Sequence, residues 1–524
     1  MMKEDGVELA QENADPVALR RGADLERGPR GQSSPSSADA KPIIRQLFDC
    51  LEELGVDYCH WKSNIRLPDT LAGREDIDLL VDPRSAALFQ LALARCGYRA
   101  ATSRLGNRHP AVFHAVALDS ASGELVDLHA YHQIVSGDSL VKAYRFPIEQ
   151  ALLRSACRQN GIRVPGPSTE LVLFVLRMAL KHVSLIEILK VNRRYDKVVG
   201  ELAWLQRRGD GARAADLCAG WFPTVEPTLF AQLQEALAAG SLLRRISLGW
   251  QVAWRLRHLR RLGFLRAFIS RSWRLVLFAH SRLRRRRDLV LQTGGAIIAL
   301  VGPKGSGKST VASHLARGFG RYLCTRRIHA GKPPTSLLSL VPRLLVPAGR
   351  VIMPGQRLRV YQSEERRASR DYSLVYVLRR LLVAYDRRRL LRWALREATA
   401  GAIVVCDRYP SETPCAVDGN CFDDETIEAC PARLKRWLMR REQALYRGLP
   451  RPTVVLQLSA PVELALQRDA GRRKRGGPDP EAVRLRWKLE SQVDFSSSPV
   501  VRVDASLPLN ETVKRAANAA WQNL

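Results

Sequence analysis

The sequence lacks long apolar segments and paired cysteines. Its longest stretch without a charged residue, Leu289 to Pro303, has 15 residues and contains three glycines. A membrane-spanning helix needs about 18 or more apolar residues, so the sequence predicts none. The ten cysteines form no Cys-x-x-Cys pair and have no regular spacing. The sequence therefore supports neither a disulfide framework nor a cysteine-based zinc site, and it favours a reducing compartment.

The N-terminal segment lacks the features of a targeting sequence. It carries eight acidic residues before Ala40, and no apolar run follows Met1. A secretory signal needs such a run, and a transit peptide is poor in acids, so the sequence predicts a cytoplasmic protein. Residues 1–40 are rich in Gly, Pro, Ser and charge and cannot bury a core, which predicts a disordered tail.

Acidic side chains are scarce relative to basic ones. The chain has 52 Asp and Glu against 83 Lys and Arg, a formal charge of +31. Residues 241–287 alone hold fourteen arginines and no acid. Such an excess predicts an anionic partner: a nucleotide, phosphate, nucleic acid or an acidic membrane surface. With 46% hydrophobic and 26% charged residues, the composition is that of a globular chain.

Changes in apolar periodicity predict three folded parts after the tail. Residues 41–240 start with strand-like segments and continue with helical periodicity, typical of an α+β domain. Residues 241–291 form a basic helical connector with a break at Gly263. Residues 292–524 contain short apolar runs alternating with helical segments, which indicates an α/β domain with a parallel sheet. The runs are Ala296 to Val301, Ala402 to Cys406, Val454 to Leu458 and Val500 to Val503.

A phosphate-binding loop follows the first of these runs. The sequence Gly-Pro-Lys-Gly-Ser-Gly-Lys-Ser fits the pattern G-x-x-x-x-G-K-[ST], after a buried strand and before an amphipathic helix. Backbone amides of such a loop surround phosphate oxygens, and the helix N-terminus adds its positive dipole end. Lys308 is predicted to bridge the β- and γ-phosphates, and the Ser309 hydroxyl to bind Mg²⁺. The predicted nucleotide-binding residues are Gly302, Pro303, Lys304, Gly305, Ser306, Gly307, Lys308, Ser309 and Thr310.

Two further elements complete the predicted catalytic site. Asp407 and Arg408 follow the second apolar run, where an acid beside the phosphate loop can hold Mg²⁺ or accept a proton from the attacking group. After the third run, a cluster of cations before Gly476-Gly477-Pro478 predicts a lid that closes on the transferred phosphoryl group. Its members are Arg468, Arg472, Arg473, Lys474 and Arg475. For any one of them, a solvated basic loop is the alternative.

The order of strand, phosphate loop, Asp-Arg-Tyr and arginine lid resembles the thymidylate kinase group of nucleoside-monophosphate kinases. The resemblance covers residues 292–524. It implies a P-loop kinase fold, ATP with Mg²⁺ as phosphoryl donor, and an adenine site at Asp504-Ala505-Ser506. It also implies that Lys308, Asp407 and Arg408, with the lid residues Arg472 and Arg473, act in catalysis.

Departures from that group leave the acceptor open. Lys304 stands where thymidylate kinases carry an acid, and their Arg-Glu-Pro-Gly stretch is missing. The resemblance therefore implies ATP as the donor without implying thymidylate as the acceptor. Candidates to bind an anionic group of the acceptor are Arg326, Arg327, Lys332 and Arg359.

Three carboxylates in the first half form a second candidate site. Asp76 and Asp78 lie two residues apart on one strand face, and Asp127 lies on a later strand. Converging carboxylates can hold two Mg²⁺ ions for nucleotidyl transfer. The arrangement resembles the nucleotidyltransferase superfamily over residues 43–200, although Lys62 precedes Ser63 where a glycine is usual. The alternative is that the acids are strand-entry residues without metal. His129 and His132 are predicted to be structural.

The basic segment 241–287 has three interpretations. Its apolar residues step by three or four, and it contains Trp250, Trp254 and Trp273. Such a helix can lie on an anionic bilayer, where each basic residue contributes about 1 kcal/mol. It can instead connect two domains by packing against both, the interpretation we favour. The third interpretation, nucleic acid binding, is supported only by the positive charge, because no recognition motif accompanies the arginines.

Together these patterns predict an ATP-dependent kinase acting on a nucleotide, nucleoside or other small metabolite. Asp407 would orient or deprotonate the acceptor. One alternative is a regulatory or scaffold protein that senses ATP without turnover and lies at a membrane surface. Another is that both halves act in sequence on one metabolite. Chains that resemble this fusion of two domains suggest a role in bacterial surface-polysaccharide metabolism. The acceptor and the oligomeric state remain open.

Overall fold

The computed structural model describes residues 40–524 with several gaps. The gaps are residues 107–108, 110, 284–288, 337–371, 412–417, 471–483, 485–486, 489–492, 494 and 496. The predicted tail, the lid residues Arg472 and Arg473, and Arg359 lie outside the described residues. Among the described helices, none combines the length and apolar character needed to cross a bilayer.

The first sheet has six strands in the order β1-β2-β5-β4-β3-β10. The strands are β1 (Tyr58–His60), β2 (Ile77–Val81), β3 (Arg99–Ser103), β4 (Val112–Asp119), β5 (Glu124–Tyr131) and β10 (Leu289–Leu291). Strands β2 and β5 run parallel, and the other neighbours run antiparallel. One face, with Leu79 and Leu128, is covered by α1 (Pro42–Glu53) and α3 (Ala86–Arg95).

A helical bundle packs beside this sheet around α5 (Pro167–Lys181). Twelve of the 15 residues of α5 are buried, because neighbouring helices surround it. After α5 the chain turns at Arg193–Arg194, which separates two further helices. The remaining helices of this half are α2 (Leu67–Leu71), α4 (Glu149–Arg154), α6 (Leu185–Asn192), α7 (Tyr195–Arg208), α8 (Gly211–Trp221) and α9 (Pro227–Ala239). Two small hairpins pair β6 (Ile134–Ser136) with β7 (Tyr144–Phe146) and β8 (Cys157–Gln159) with β9 (Ile162–Val164).

The basic segment forms two helices, α10 (Leu242–Arg255) and α11 (Phe264–Leu283), on either side of Gly263. Helix α10 packs tightly on α5: a Cβ on Gly249 would lie 2.7 Å from the Ala179 carbonyl oxygen. Leu289–Leu291, which the sequence placed in the connector, instead forms β10 and pairs with β3. The segment therefore returns the chain to the first sheet before the second sheet begins.

The second sheet has five parallel strands in the order β12-β13-β11-β14-β15. The strands are β11 (Ala296–Val301), β12 (Thr325–His329), β13 (Ile403–Asp407), β14 (Val454–Ser459) and β15 (Val500–Asp504). The helices are α12 (Lys308–Phe319), α13 (Leu374–Thr399), α14 (Asp424–Ala429), α15 (Arg433–Arg447), α16 (Val462–Ala470) and α17 (Leu509–Gln522). The parallel α/β architecture is as predicted, but nothing in the sequence indicated β12, and β15, from the fourth apolar run, is mostly exposed.

The two sheets share one apolar core. Val116 and Leu125 of the first sheet belong to the same buried cluster as Leu315 of α12 and Trp521 of α17. Polar contacts reinforce this junction. Arg104 donates two hydrogen bonds to Glu397 of α13, at 2.8 and 3.0 Å, and Arg99 donates to the Trp521 carbonyl oxygen at 3.2 Å. The two halves therefore meet through a packed interface.

Candidate active site

The predicted phosphate loop connects β11 to α12 in a tight turn. Strand β11 is buried along its whole length, and α12 begins at Lys308. The loop lies directly against the neighbouring elements. A Cβ on Gly302 would lie 2.3 Å from the Leu458 carbonyl oxygen, and one on Gly305 would lie 2.6 Å from the Ala465 carbonyl oxygen. Both glycines also have positive φ, 134° and 89°, so only glycine fits these positions without strain.

Lys308 lies inside this loop. Its side chain is buried, and Nζ donates hydrogen bonds of 2.7 Å to the carbonyl oxygens of Gly302 and Pro303. The small cavity at the loop is lined by Lys308 together with Arg408, Tyr409 and other residues. The ammonium group is thus close to the amides at the start of α12, where an anion would bind.

Asp407 ends β13 beside the loop. Parallel pairing places it opposite Leu300, two residues before the loop. It is 1% exposed, and its Oδ1 has no hydrogen-bond partner among the described residues. Its Oδ2 lies 3.5 Å from an Arg327 guanidinium nitrogen. A buried carboxylate oxygen without a partner is energetically costly and marks a position suited to a cation or to a donor hydroxyl.

Arg408 is held by a network that the sequence analysis missed. Its guanidinium lies 3.2 Å from Asp418 Oδ2, and the other oxygen of Asp418 lies 3.3 Å from Arg387 of α13. Arg387 also donates to the carbonyl oxygens of Ala330 and Asp418, at 2.8 and 2.7 Å. Buried Arg387 thus fixes Asp418, which orients Arg408 towards the loop cavity. In the sequence, Arg387 stands among several other arginines of α13, so nothing in the sequence distinguished it from the exposed arginines nearby.

Of the remaining predicted residues, some lie at the loop edge of the sheet and others lie away from the loop cavity. Ser309 and Thr310 lie exposed in the first turn of α12, and Asp504 closes a turn at the same edge of the sheet by accepting from the Ser506 amide at 2.8 Å. Arg326 and Lys332 do not reach the loop cavity. Arg326 lies 3.4 Å from Glu397, and Lys332 is exposed.

The carboxylates of the first half share one face of the sheet. Asp78 on β2 lies opposite His129 on β5, and Asp127 lies two residues before His129. The His129 ring nitrogens lie 3.5 Å from Asp78 and 3.3 Å from Asp127. Burial alone would lower the pKa of His129, but its hydrogen bonds with Asp127 and Asp78 raise that pKa well above its ordinary value. The sequence analysis treated His129 as structural, whereas the structure places it between the two acids.

Lys62 and Asp76 flank this cluster. Lys62 Nζ lies 2.8 Å from Asp78. Burial would raise the pKa of Asp78, but the Lys62 charge and the His129 hydrogen bond hold it far below its usual range. Asp76, just before β2, has a raised pKa because it is partly buried. His132 lies with its Nδ1 3.1 Å from the Val81 carbonyl oxygen, a contact within the fold.

The second half is thus a parallel α/β domain with a phosphate loop between a buried strand and a helix, and with an aspartate at the end of the neighbouring strand. No family model matches the chain. Two curated relatives are similar to part of it. The uncharacterized ATP-binding protein YghR of Escherichia coli K12 is 25% identical over 231 residues, 43% of this chain and 86% of that protein. The uncharacterized ATP-binding protein YghS of the same strain is 24% identical over 246 residues, 45% and 97% of the two chains.

Solved structures similar to part of the chain include two kinases. A deoxyadenosine kinase from M. mycoides is 15% identical, covers 43% of this chain and 97% of its own, and has a TM-score of 0.24. Thymidylate kinase from Candida albicans is 21% identical, covers 44% of this chain and 92% of its own, and has a TM-score of 0.27. At these values neither structure informs the substrate.

The close packing of the loop predicts opposite effects for two glycine substitutions. Gly305→Ala is expected to lower the free energy of unfolding by about 1–3 kcal/mol, because its Cβ would meet the Ala465 carbonyl oxygen at a positive φ. Gly318→Ala, in exposed α12 backbone with open space at Cβ, is expected to raise it by about 0.5–1 kcal/mol.

Chemical denaturation of the full chain measures both values. Equal effects of the two substitutions would contradict the tight packing of Gly305 against α16.

Proposed function

We propose that residues 292–524 transfer the γ-phosphoryl group of ATP to a small acceptor. The observation that carries this proposal is Asp407, a buried carboxylate with one unpartnered oxygen beside the phosphate loop. The names of the relatives YghR and YghS, both ATP-binding proteins, support ATP as the nucleotide. A purely structural loop would not require an unsatisfied acid at this position.

Each group at the loop has a role in this reaction. The loop amides and the N-terminus of α12 bind the phosphates, and Lys308 exchanges the loop carbonyl oxygens for phosphate oxygens. Arg408, oriented by Asp418, stabilises the charge on the transferred group. The acceptor hydroxyl gives its proton to Asp407 as its oxygen bonds to the γ-phosphorus. The bond from that phosphorus to the β-phosphate bridging oxygen breaks, and ADP leaves.

The donor set at the loop fits Mg²⁺. The Asp407 carboxylate and the Ser309 hydroxyl are oxygen ligands, which Mg²⁺ prefers, and the unpartnered Oδ1 of Asp407 has a free lone pair. When bound, the ion would neutralise phosphate charge.

A cavity of 390 Å³ next to the loop fits a small acceptor. Tyr409 and Phe495 line both this cavity and the loop cavity, so the two cavities are adjacent at these side chains. Its wall includes Asn420, Arg447 and Arg451. These amide and guanidinium groups favour an acceptor with hydroxyl groups and an anionic substituent.

A second candidate function is nucleotidyl transfer by the first half. The pairing of β2 with β5 favours it, because it puts Asp78 and Asp127 on one face. Lys62 and Lys142 donate to the Tyr131 hydroxyl, at 3.1 and 3.2 Å, and supply cations beside these acids for a polyphosphate.

For the kinase, Lys308→Ala is expected to abolish ATP turnover, and Asp407→Asn to lower it at least 100-fold by removing the proton acceptor. Exposed Asp216→Asn is the matched control and should leave turnover unchanged. Mass spectrometry of products from a panel of nucleosides, nucleoside monophosphates and sugars measures transfer. Turnover retained by Lys308→Ala would contradict the proposal. ATP binding without any product would favour a sensor instead.

For nucleotidyl transfer, Asp76→Asn is expected to abolish incorporation of labelled nucleotide into an acceptor, because it removes a carboxylate from the cluster. Lys308→Ala serves as the control and should leave this transfer intact. Equal transfer by wild type and Asp76→Asn would exclude the second function.

A further inference from the structure

We propose that His114, Asp127 and His129 bind a divalent transition-metal ion. Strand pairing brings the three together: His114 on β4 lies opposite His129 on β5, with ring centroids 4.4 Å apart, and Asp127 is on the same face. One ligand atom from each residue lies within 4.8 Å of the others. This spacing suits three ligands around one ion.

Unpartnered atoms of this cluster point to a missing ligand. Asp127 is 8% exposed, and its Oδ1 has no hydrogen-bond partner among the described residues. The same holds for Nδ1 of His114. Leaving a carboxylate oxygen and an imidazole nitrogen buried together without partners is costly, and a cation between them would satisfy both.

Two imidazoles and one carboxylate select the class of metal. Imidazole ligands favour Zn, Cu, Fe and Ni over Mg²⁺, and two histidines with one carboxylate leave coordination positions open. Asp78 lies 3.5 Å from Nδ1 of His129, the ring nitrogen away from Asp127. Asp78 would thus orient His129 as a positioning residue, where the sequence assigned it as a Mg²⁺ ligand.

The cluster opens into a cavity of 510 Å³ between the two halves of the chain. His114, Asp127 and His129 form part of its wall, and Arg321 and Tyr322, which follow α12, form another part. The open positions on the ion would therefore face a cavity large enough for a small ligand. The Arg321 guanidinium favours an anionic one. The site does not depend on the kinase reaction, but it shares Asp127 with the second candidate function, so a transition-metal ion here would take the place of Mg²⁺ on that carboxylate.

Cobalt titration of the full chain, stripped of metal with a chelator, tests the site. We expect one Co²⁺ per chain, with visible absorption bands, and no displacement by a large excess of Mg²⁺. His114→Gln and Asp127→Asn are each expected to weaken Co²⁺ binding at least tenfold. Asp78→Asn should weaken it about 10- to 100-fold by releasing His129. His132→Gln, in the same cavity wall, is the control and should leave it unchanged.

Circular dichroism and ATP binding by each variant establish that it is folded. Unchanged Co²⁺ affinity in folded His114→Gln and Asp127→Asn would overturn the site, as would equal affinity for Mg²⁺. Lys308→Ala is expected to bind Co²⁺ normally, so failure of the kinase proposal and failure of this one are distinguishable.

A different observation carries a second inference, on α11. Most of its large apolar side chains are exposed, while two of its arginines point to the protein. Arg271 binds Asp138 at 2.7 Å, and Arg274 donates to the Leu140 carbonyl oxygen at 2.8 Å. Apolar side chains at least half exposed are Phe264, Leu265, Phe268, Ile269, Trp273, Val276, Phe278 and Leu283. A row of this size on a helix surface indicates an interaction site.

We infer that this face of α11 lies on an anionic lipid bilayer. The exposed side chains of Trp250 and Trp254 on α10 extend the apolar surface, and Arg266 and Arg282 of α11 are exposed. Residues 241–287 contain no acid, so an anionic partner meets no repulsion. Aromatic and apolar side chains flanked by arginines match the boundary between lipid headgroups and acyl chains.

Sedimentation with vesicles tests this. The full chain is expected to bind phosphatidylcholine vesicles containing about one-third phosphatidylglycerol, and to bind pure phosphatidylcholine at least tenfold more weakly. Phe268→Ser with Trp273→Ser should reduce binding at least tenfold, whereas Leu434→Ser, an exposed leucine on α15, should not. Binding unaffected by the double substitution would overturn the inference. So would a concentration-dependent dimer that the double substitution abolishes, which would make this face an interface between copies.

Discussion

The apolar core shared by the two sheets is the constraint on which the rest of the structure depends. Strand β10 pairs with the first sheet, and after four residues the chain enters β11 of the second. One face of the first sheet is therefore closed by helices that belong to the second. Because Val116 and Leu125 would be exposed without α12 and α17, neither half has a complete core alone. The shared core therefore fixes the positions of the strands and helices that carry both candidate sites.

The parts of the site that the sequence predicted are those set by local pattern. The phosphate loop, its strand and its helix occupy consecutive residues, so their chemistry is visible in one short stretch. Strand β12 was missed because Arg326 and Arg327 give an edge strand a polar sequence, and the parallel pairing with β13 overrides that signal. The Arg387–Asp418 contact joins residues 31 apart, which no periodicity reveals.

In the first half and the basic segment, the sequence could not predict features that depend on tertiary contacts. The acids of the cluster were predicted from their spacing, but the environment of His129 is determined by two other strands that pair with β5. In the basic segment, periodicity correctly grouped apolar residues on one face of each helix. It could not determine whether that face is covered: Val252 of α10 is buried, while Trp273 of α11 is exposed. Coverage depends on tertiary packing, which the helical period does not encode.

Helix α12 has one further consequence. Its first residue, Lys308, belongs to the phosphate loop, and Arg321 and Tyr322, just beyond its last turn, line the cavity of the histidine cluster. Twelve residues make a rod about 18 Å long. The phosphate loop and that cavity therefore lie at opposite ends of one helix, so a ligand-dependent displacement of the helix would affect both, and such coupling is reciprocal by thermodynamic linkage.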